Sequence, residues 1–196
     1  MCISTTGMKK SGQDKLPVHN INNFWDIKCA ELLKPELRPL SEYLTEEEKL
    51  ILVVNVASTD PHSKEKYHEL MHLHAEFKEH GLEIFAFPCN QFGQSEKGTP
   101  QEINDFAKGL GVEFPIFQKM DVNGGLCHPV YNFVRSNSEL FDRKSKLTGE
   151  IPGNFSKFLI DRHGHVVRYY GTKPIISKEL MIMLRNKAAD YEHSAH

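Results

Sequence analysis

The sequence predicts one α/β domain whose central sheet combines parallel and antiparallel strands. Two continuous apolar runs, LILVVNV at 50–56 and LEIFAFP at 82–88, are typical of strands buried on both faces. The helical pattern between them indicates a parallel β-α-β crossover, and a hairpin pattern over 157–170 adds two antiparallel strands. A chain of 196 residues has the size of one domain. It can bury about 70% of its unfolded surface, so it needs no disulfide or structural metal to fold.

The elements follow one another in a regular order from residue 50. Apolar residues from Tyr67 to Phe77 recur every three or four positions, which predicts a helix over 63–80 with one apolar face. The segment TPQE at 99–102 begins the next helix, because it forms a capping box with proline at the first helical position. The remaining predicted elements are a short strand at 114–117, a helix at 129–136, strands at 157–161 and 166–170, and a last helix that Ser177 caps and that runs to about residue 190.

Composition excludes several functional classes. Lysine and arginine number 24 and aspartate and glutamate 26, so the formal net charge is −2 and a dedicated nucleic-acid binder is not expected. No window approaches about 18 consecutive apolar residues, so no membrane-spanning helix is predicted. The first residues are polar and lack the apolar segment of a secretory signal peptide. The four cysteines form no CxxC pair, which favours a reducing compartment, and we expect a cytoplasmic protein.

Three regions are expected along the chain. The first twenty residues mix serine, threonine, glycine, lysine and asparagine without periodicity, so 1–20 is predicted to be a flexible arm. The folded domain is predicted over 21–190, and a short tail over 191–196.

Five motifs give the sequence its clearest identity. They are VNVAS at 54–58, FPCNQFG at 87–93, EFPIF at 113–117, DVNG at 121–124 and NFSKFLID at 154–161. In this order and spacing they resemble the glutathione peroxidase family from about residue 22 to residue 185. The resemblance implies a thioredoxin-like fold with helices on both faces of a central mixed sheet. It also implies reduction of hydroperoxides by a cysteine or selenocysteine, with glutathione or thioredoxin as the reductant and no bound cofactor or metal.

Two further features place the chain within that family. The connection between 123 and 154 is short, whereas tetrameric relatives carry a longer insertion, so the resemblance implies the monomeric, phospholipid-hydroperoxide-like branch. Thioredoxin-dependent members also carry a resolving cysteine on the helix before the FPIF strand. The matching stretch at 103–109 has no cysteine, and Ala107 stands at about that place.

The catalytic positions are where this sequence departs from the family pattern. The family continues NVAS-x-Cys/Sec-Gly, and here Asp60 occupies the position of the reactive residue. Ser95 stands where the family has its supporting glutamine, and Gly153 where it has its tryptophan. Of the four catalytic positions the resemblance implies, only Asn154 is retained.

The change at Asp60 alters the chemistry more than the others do. A thiolate reduces a peroxide by becoming a sulfenic acid and returning through a thiol, and a carboxylate has no such reversible oxidation states. The position lies between a strand and a helix, and aspartate followed by proline suits a helix N-terminus, so we interpret Asp60 as an N-cap. A role for Asp60 as a general base or ligand is the alternative.

Two other groups of residues offer different chemistry. Cys89 is a thiol that could rescue peroxidase activity, although it ends a buried strand and is predicted to be a small core residue. His68, Glu69 and His72 match the HExxH pattern of zinc hydrolases. However, Leu70 points to the core on this helix, which turns both histidines toward water and favours a chance match.

These observations lead to one interpretation and two alternatives. The chain is interpreted as a degenerate, non-catalytic or very weak peroxidase whose fold serves a binding or redox-related role with a protein partner. The first alternative is a residual, thiol-dependent hydroperoxide reductase of the oxidative stress response that uses Cys89. The second is a metal-dependent hydrolase that uses His68, Glu69 and His72.

Overall fold

The structure, a computed structural model, describes residues 23–194, with side chains described through residue 188. The predicted arm at 1–20 lies outside the described residues, and the division into arm, domain and tail stays a prediction. The strands in chain order are β1 (Lys28–Cys29), β2 (Arg38–Pro39), β3 (Leu50–Val56), β4 (Leu82–Pro88), β5 (Phe141–Asp142), β6 (Leu147–Thr148), β7 (Lys157–Asp161) and β8 (Val166–Gly171). The α-helices are α1 (Ser63–Phe77), α2 (Pro100–Leu110), α3 (Pro129–Ser136) and α4 (Ser177–Ser194).

The central sheet has four strands in the order β4-β3-β7-β8. Strands β3 and β4 are parallel, whereas β7 pairs antiparallel with both β3 and β8. Short hairpins β1-β2 and β5-β6 lie outside this sheet. The predicted mixed sheet is therefore confirmed, with β3 at its centre and its carboxyl end leading into the 57–62 loop.

Two apolar clusters cover the two faces of the sheet. Alternate residues of β3 face opposite sides, because successive side chains of a strand point in opposite directions. Leu52 belongs to the cluster that α1 and α4 cover, and Val53 to the cluster that α3 and the 3-10 helix Phe24–Asp26 cover. The prediction of helices on both faces is confirmed. Within residues 23–194, no helix is long and apolar enough to cross a bilayer.

Four details differ from the sequence-based predictions. The predicted strand at 114–117 forms only isolated bridges at Ile116 and Phe117, because Pro115 has no N–H to extend a ladder. The predicted helix over 63–80 is α-helical only to Phe77 and ends in a 3-10 turn. Ser177 is the first helical residue of α4, and its hydroxyl donates to Glu76 on α1. Helix α4 runs to Ser194, beyond the predicted end near residue 190.

Candidate functional site

The loop after β3 carries Asp60 at the predicted position, but Asp60 does not cap α1. Its Oδ1 accepts a 2.9 Å hydrogen bond from the His62 backbone N–H, and its carbonyl accepts one of 2.9 Å from Ser63. Helix α1 begins at Ser63 with His62 as its N-cap, and no side chain caps that end. The N-cap prediction is therefore wrong: the side chain closes the turn that Asp60 itself begins, as aspartate often does two residues before a bonded N–H.

The second carboxylate oxygen of Asp60 joins the other family positions. Its Oδ2 accepts a 2.9 Å hydrogen bond from Asn154 Nδ2, which also donates to Ser95 Oγ at 3.1 Å. The Ser95 hydroxyl in turn donates to the carbonyl of Phe92. Asp60, Ser95 and Asn154 therefore lie together in one hydrogen-bonded group. The Ser95 proton is directed at a carbonyl and not at Asp60, so the pair is not arranged as a nucleophile and its base.

Glu96 holds the 57–62 loop in place through hydrogen bonds to Ser58, and no sequence-based prediction named it. Its side chain is fully buried and accepts from the Ser58 N–H at 2.7 Å and from the Ser58 hydroxyl at 2.5 Å. Beside it, the N–H and hydroxyl of Thr59 donate to the Ser95 carbonyl at 3.0 and 2.7 Å. Burial raises the pKa of Glu96, and the bonds from Ser58 act in the opposite direction. The available sequence signal is its place next to Ser95, three residues after the end of the FPCNQFG motif.

The turn that carries Gly153 and Asn154 is fixed by a buried asparagine of β3. Asn55 Nδ2 donates to the Gly153 carbonyl at 3.1 Å, and its Oδ1 accepts from the Ser156 N–H at 3.0 Å. A Cβ on Gly153 would meet only Thr172 Cγ2, at 3.7 Å, so the position has room for a side chain. The turn leaves Asn154 Oδ1 buried without a hydrogen-bond partner.

Cys89 is not presented as a reactive thiol. It has no exposed surface, and its Sγ lies 3.8 Å from Gln91 Oε1. Burial raises the pKa of this thiol, although contacts with the backbone of Gln91 and Val122 act in the opposite direction. Its surroundings are the apolar cluster between the sheet and α3. Ala107, at the place of the family's resolving cysteine, is likewise buried, on α2.

The HExxH residues on α1 are directed apart. His68 and His72 are exposed, whereas Glu69 turns inward to Lys66 at 3.0 Å and to the buried Lys157 at 3.6 Å. Burial lowers the pKa of Lys157, and Glu69 offsets part of that shift. In the described part of the chain, no three histidine, cysteine, aspartate or glutamate side chains are arranged to hold a metal ion. Glu69 therefore serves an ion pair between α1 and the sheet.

The fold defines the class of protein: it is a thioredoxin-like domain. Its candidate site lies in the 57–62 loop, between the end of β3 and the start of α1. The family model for glutathione peroxidase matches residues 24–135. Glutathione peroxidase 1 of Helianthus annuus is 46% identical over 133 residues, which cover 67% of this chain and 77% of that protein. The chain belongs to the glutathione peroxidase family, in its phospholipid-hydroperoxide-like branch.

Two further comparisons describe the extent of this likeness. The chloroplastic phospholipid hydroperoxide glutathione peroxidase of Pisum sativum is 46% identical over 141 residues, or 69% of this chain. The match spans only 57% of that relative's length. The crystal structure of T. cruzi GPX1 superimposes with a TM-score of 0.61 at 30% identity, covering 83% of this chain and 97% of that one.

Proposed function

We propose that this chain is a degenerate member of its family, one that does not turn over hydroperoxides at the Asp60 position. The observation that supports this most directly is the Asp60 carboxylate itself, held by the His62 N–H and the Asn154 amide. Peroxide reduction needs an atom that attacks oxygen and keeps the oxidation state until a thiol returns it. A carboxylate offers neither property, so the retained geometry lacks the reacting atom.

The proposal extends to the supporting groups. Ser95 occupies the glutamine position, and its hydroxyl donates to a backbone carbonyl and not toward residue 60. Gly153 leaves the tryptophan position without a side chain. We propose that the domain serves a binding or redox-related role with a protein partner, and that any hydroperoxide or thiol reductant binds without being turned over.

Residual hydroperoxide turnover through Cys89 is the competing function, and the experiment must distinguish it from a protein without catalysis. The burial of Cys89 and its raised pKa argue against it, because reactive cysteines need an exposed, electropositive environment. The third possibility, a zinc hydrolase, requires His68, Glu69 and His72 to converge. Glu69 is instead directed at Lys66 and Lys157.

The decisive assay follows hydroperoxide consumption by the purified full-length chain. Hydrogen peroxide and a phospholipid hydroperoxide are each offered, with glutathione and separately with a thioredoxin system. The matched controls are Cys89→Ser and a reaction without protein. Rates at the protein-free level for wild type support the proposal. Sustained wild-type turnover that Cys89→Ser abolishes would show the alternative, and turnover that survives Cys89→Ser would also contradict the proposal.

We further propose that the chain acts as a monomer in the cytoplasm, in a reducing environment. The free thiols of Cys29, Cys89 and Cys127 are consistent with such a compartment. Light scattering after size-exclusion chromatography tests the oligomeric state, with a mass near 22.5 kDa expected. Cell fractionation with an antibody to the untagged protein tests the location, and enrichment in an organelle would overturn the proposal.

A further inference from the structure

A second cluster, made of a buried arginine and a cysteine thiol, lies away from Asp60, between α3 and the loop before it. Arg135, in the last turn of α3, is only 2% exposed. Its Nε donates to the Gly149 carbonyl at 3.1 Å, and its Nη1 donates to the Val122 carbonyl at 3.1 Å. The remaining partner of Nη1 is the sulfur of Cys127, at 3.5 Å.

The charge of Arg135 is unbalanced in this environment. A guanidinium stays protonated in proteins, and burying a cation is costly unless an anion accompanies it. Among the side chains of residues 23–188, no carboxylate lies within 4.0 Å of the Arg135 guanidinium. The nearest group that can become an anion is the thiol of Cys127. At rest this thiol donates to the Val122 carbonyl at 3.1 Å.

An unpaired hydroxyl marks the same cluster. The side chain of Tyr131 is fully buried, and its OH has no hydrogen-bond partner. Burial raises the pKa of Tyr131, and the nearby thiols of Cys89, Cys127 and Cys29 raise it further. The Tyr131 hydroxyl is therefore a buried donor without an acceptor, in the same apolar cluster as Cys127.

Cys127 differs from the other two described thiols in charge and in access. Burial raises the pKa of the Cys127 thiol above its ordinary value, the charge and hydrogen bond of Arg135 offset part of that rise, and Asp121 adds to it. Burial raises the pKa of Cys29 to about 12 with no cation to oppose it. Cys127 keeps 7% of its surface exposed and follows Leu126, which is 85% exposed. Among the three described cysteines, Cys127 therefore has the largest exposed fraction.

We propose that Cys127, paired with the buried Arg135, is a site of stoichiometric oxidation to a sulfenic acid by hydrogen peroxide or another small hydroperoxide. The Cys127 sulfur attacks one peroxide oxygen, so that an S–O bond forms while the O–O bond breaks. With hydrogen peroxide, the second oxygen leaves with the thiol proton as water. Sulfur loses two electrons, the peroxide gains them, and the product is a sulfenic acid.

The oxidised sulfur suits this environment better than the thiol does. A sulfenic acid ionises more readily than a thiol, so the oxidation places negative charge beside the Arg135 guanidinium. The reaction is stoichiometric, one peroxide for each Cys127, and does not depend on whether the Asp60 position turns over hydroperoxides.

The experiment measures the loss of each free thiol after exposure to hydrogen peroxide. Cys2→Ser serves as the background, since Cys2 lies outside the described residues. Aliquots are quenched with acid, unfolded, alkylated with isotope-coded reagent and mapped by mass spectrometry, and dimedone traps the sulfenic acid. We expect Cys127 to be lost about tenfold faster than Cys29, the factor that a barrier lower by ~1.4 kcal/mol gives. Loss of Cys127 no faster than that of Cys29 would overturn the proposal.

Variants of Arg135 test whether its positive charge causes the faster oxidation of Cys127. Arg135→Lys keeps the charge and should retain most of the rate, whereas Arg135→Met removes it and should slow Cys127 toward the rate of Cys29. Because Arg135→Met removes the donor of the Gly149 carbonyl and one of the two donors of the Val122 carbonyl, circular dichroism must first show that it folds. If it does not, the wild-type ratio of Cys127 to Cys29 decides the matter alone. Equal rates for folded Arg135→Met and wild type would contradict the role given to Arg135.

Discussion

Asp60 Oδ2 accepts a 2.9 Å hydrogen bond from Asn154 Nδ2 across 94 residues of sequence. Asn154 matches the family motif in sequence, and its amide binds the carboxylate of the residue that stands where that motif has cysteine or selenocysteine. The contact ties the loop after β3 to the turn before β7. Under the proposed loss of catalysis, it holds residue 60 in place although that residue carries no thiol or selenol.

Restoring the family residues should restore peroxidase turnover in steps. Asp60→Cys places a thiol beside the Asn154 amide and just before α1, whose N-terminus favours a thiolate. We expect this variant to consume peroxide measurably, and Asp60→Cys with Ser95→Gln and Gly153→Trp to be faster still. The coupled glutathione and thioredoxin assays measure both rates. A folded triple variant that stays at the protein-free rate would show that the site geometry differs from the active form in some further way.

Glu96 should be a major determinant of stability. Glu96→Ala removes the acceptor for the Ser58 N–H and hydroxyl, and unsatisfied polar groups of this kind cost about 2 kcal/mol or more in unfolding free energy. Urea unfolding measures the change. The matched control is Glu65→Gln on the exposed surface of α1, which should stay within about 0.5 kcal/mol of wild type. Equal effects of the two changes would refute the structural role of Glu96.

The buried carboxylate of Asp161 should give stability an acid-side pH dependence. Burial acts to raise the pKa of Asp161, but hydrogen bonds from Lys187 and from the His165 N–H, with the charge of Lys187, outweigh it and hold the pKa below its usual value. A depressed folded-state pKa gives stability that is present above the unfolded value, about 3.9, and is lost as pH falls through the folded value. The unfolding free energy of wild type should therefore exceed that of Asp161→Asn by about 2 kcal/mol at neutral pH.

The test of Asp161 is urea unfolding of both proteins between neutral pH and pH 2.5. The difference in unfolding free energy between wild type and Asp161→Asn should narrow on the acid side. A difference that stays constant over the whole range would show that Asp161 does not titrate differently in the folded state.

Gly153 should accept a side chain, whereas Gly81 should not. Gly81 has a φ of +95°, and a Cβ there would lie 2.7 Å from the carbonyl oxygen of Glu47. Gly153→Ala should change the unfolding free energy by less than about 1 kcal/mol, and Gly81→Ala should lower it by about 2 kcal/mol or more. Thermal unfolding of the two variants measures the contrast. If Gly153→Ala lowered the unfolding free energy by more than about 1 kcal/mol, the space beside Gly153 would not accommodate a side chain.

The sheet and its helices could be predicted because their signals are local. The runs at 50–56 and 82–88 each carry their burial in their own composition, and the capping box of α2 forms as predicted. The apolar residues at 114–117 predicted a strand, but only isolated bridges form there, because Pro115 lacks the N–H that a strand ladder needs.

The site was predictable only in part. The motifs identified Asp60, Ser95 and Asn154, but the N-cap prediction failed because the turn at 60–63 delays the helix and the second oxygen finds a partner far away in sequence. Arg135 gave no sequence signal, because its contacts with Val122, Cys127 and Gly149 depend on the packing of two loops against α3.

The measurement that bears most directly on the proposed loss of catalysis is the number of peroxide molecules that one wild-type molecule consumes. With excess glutathione or thioredoxin, we expect the rate to stay at the protein-free level after at most the stoichiometric oxidation of thiols. Many turnovers per protein molecule, with either reductant and with Asp60 intact, would contradict the assignment of this chain as a degenerate peroxidase.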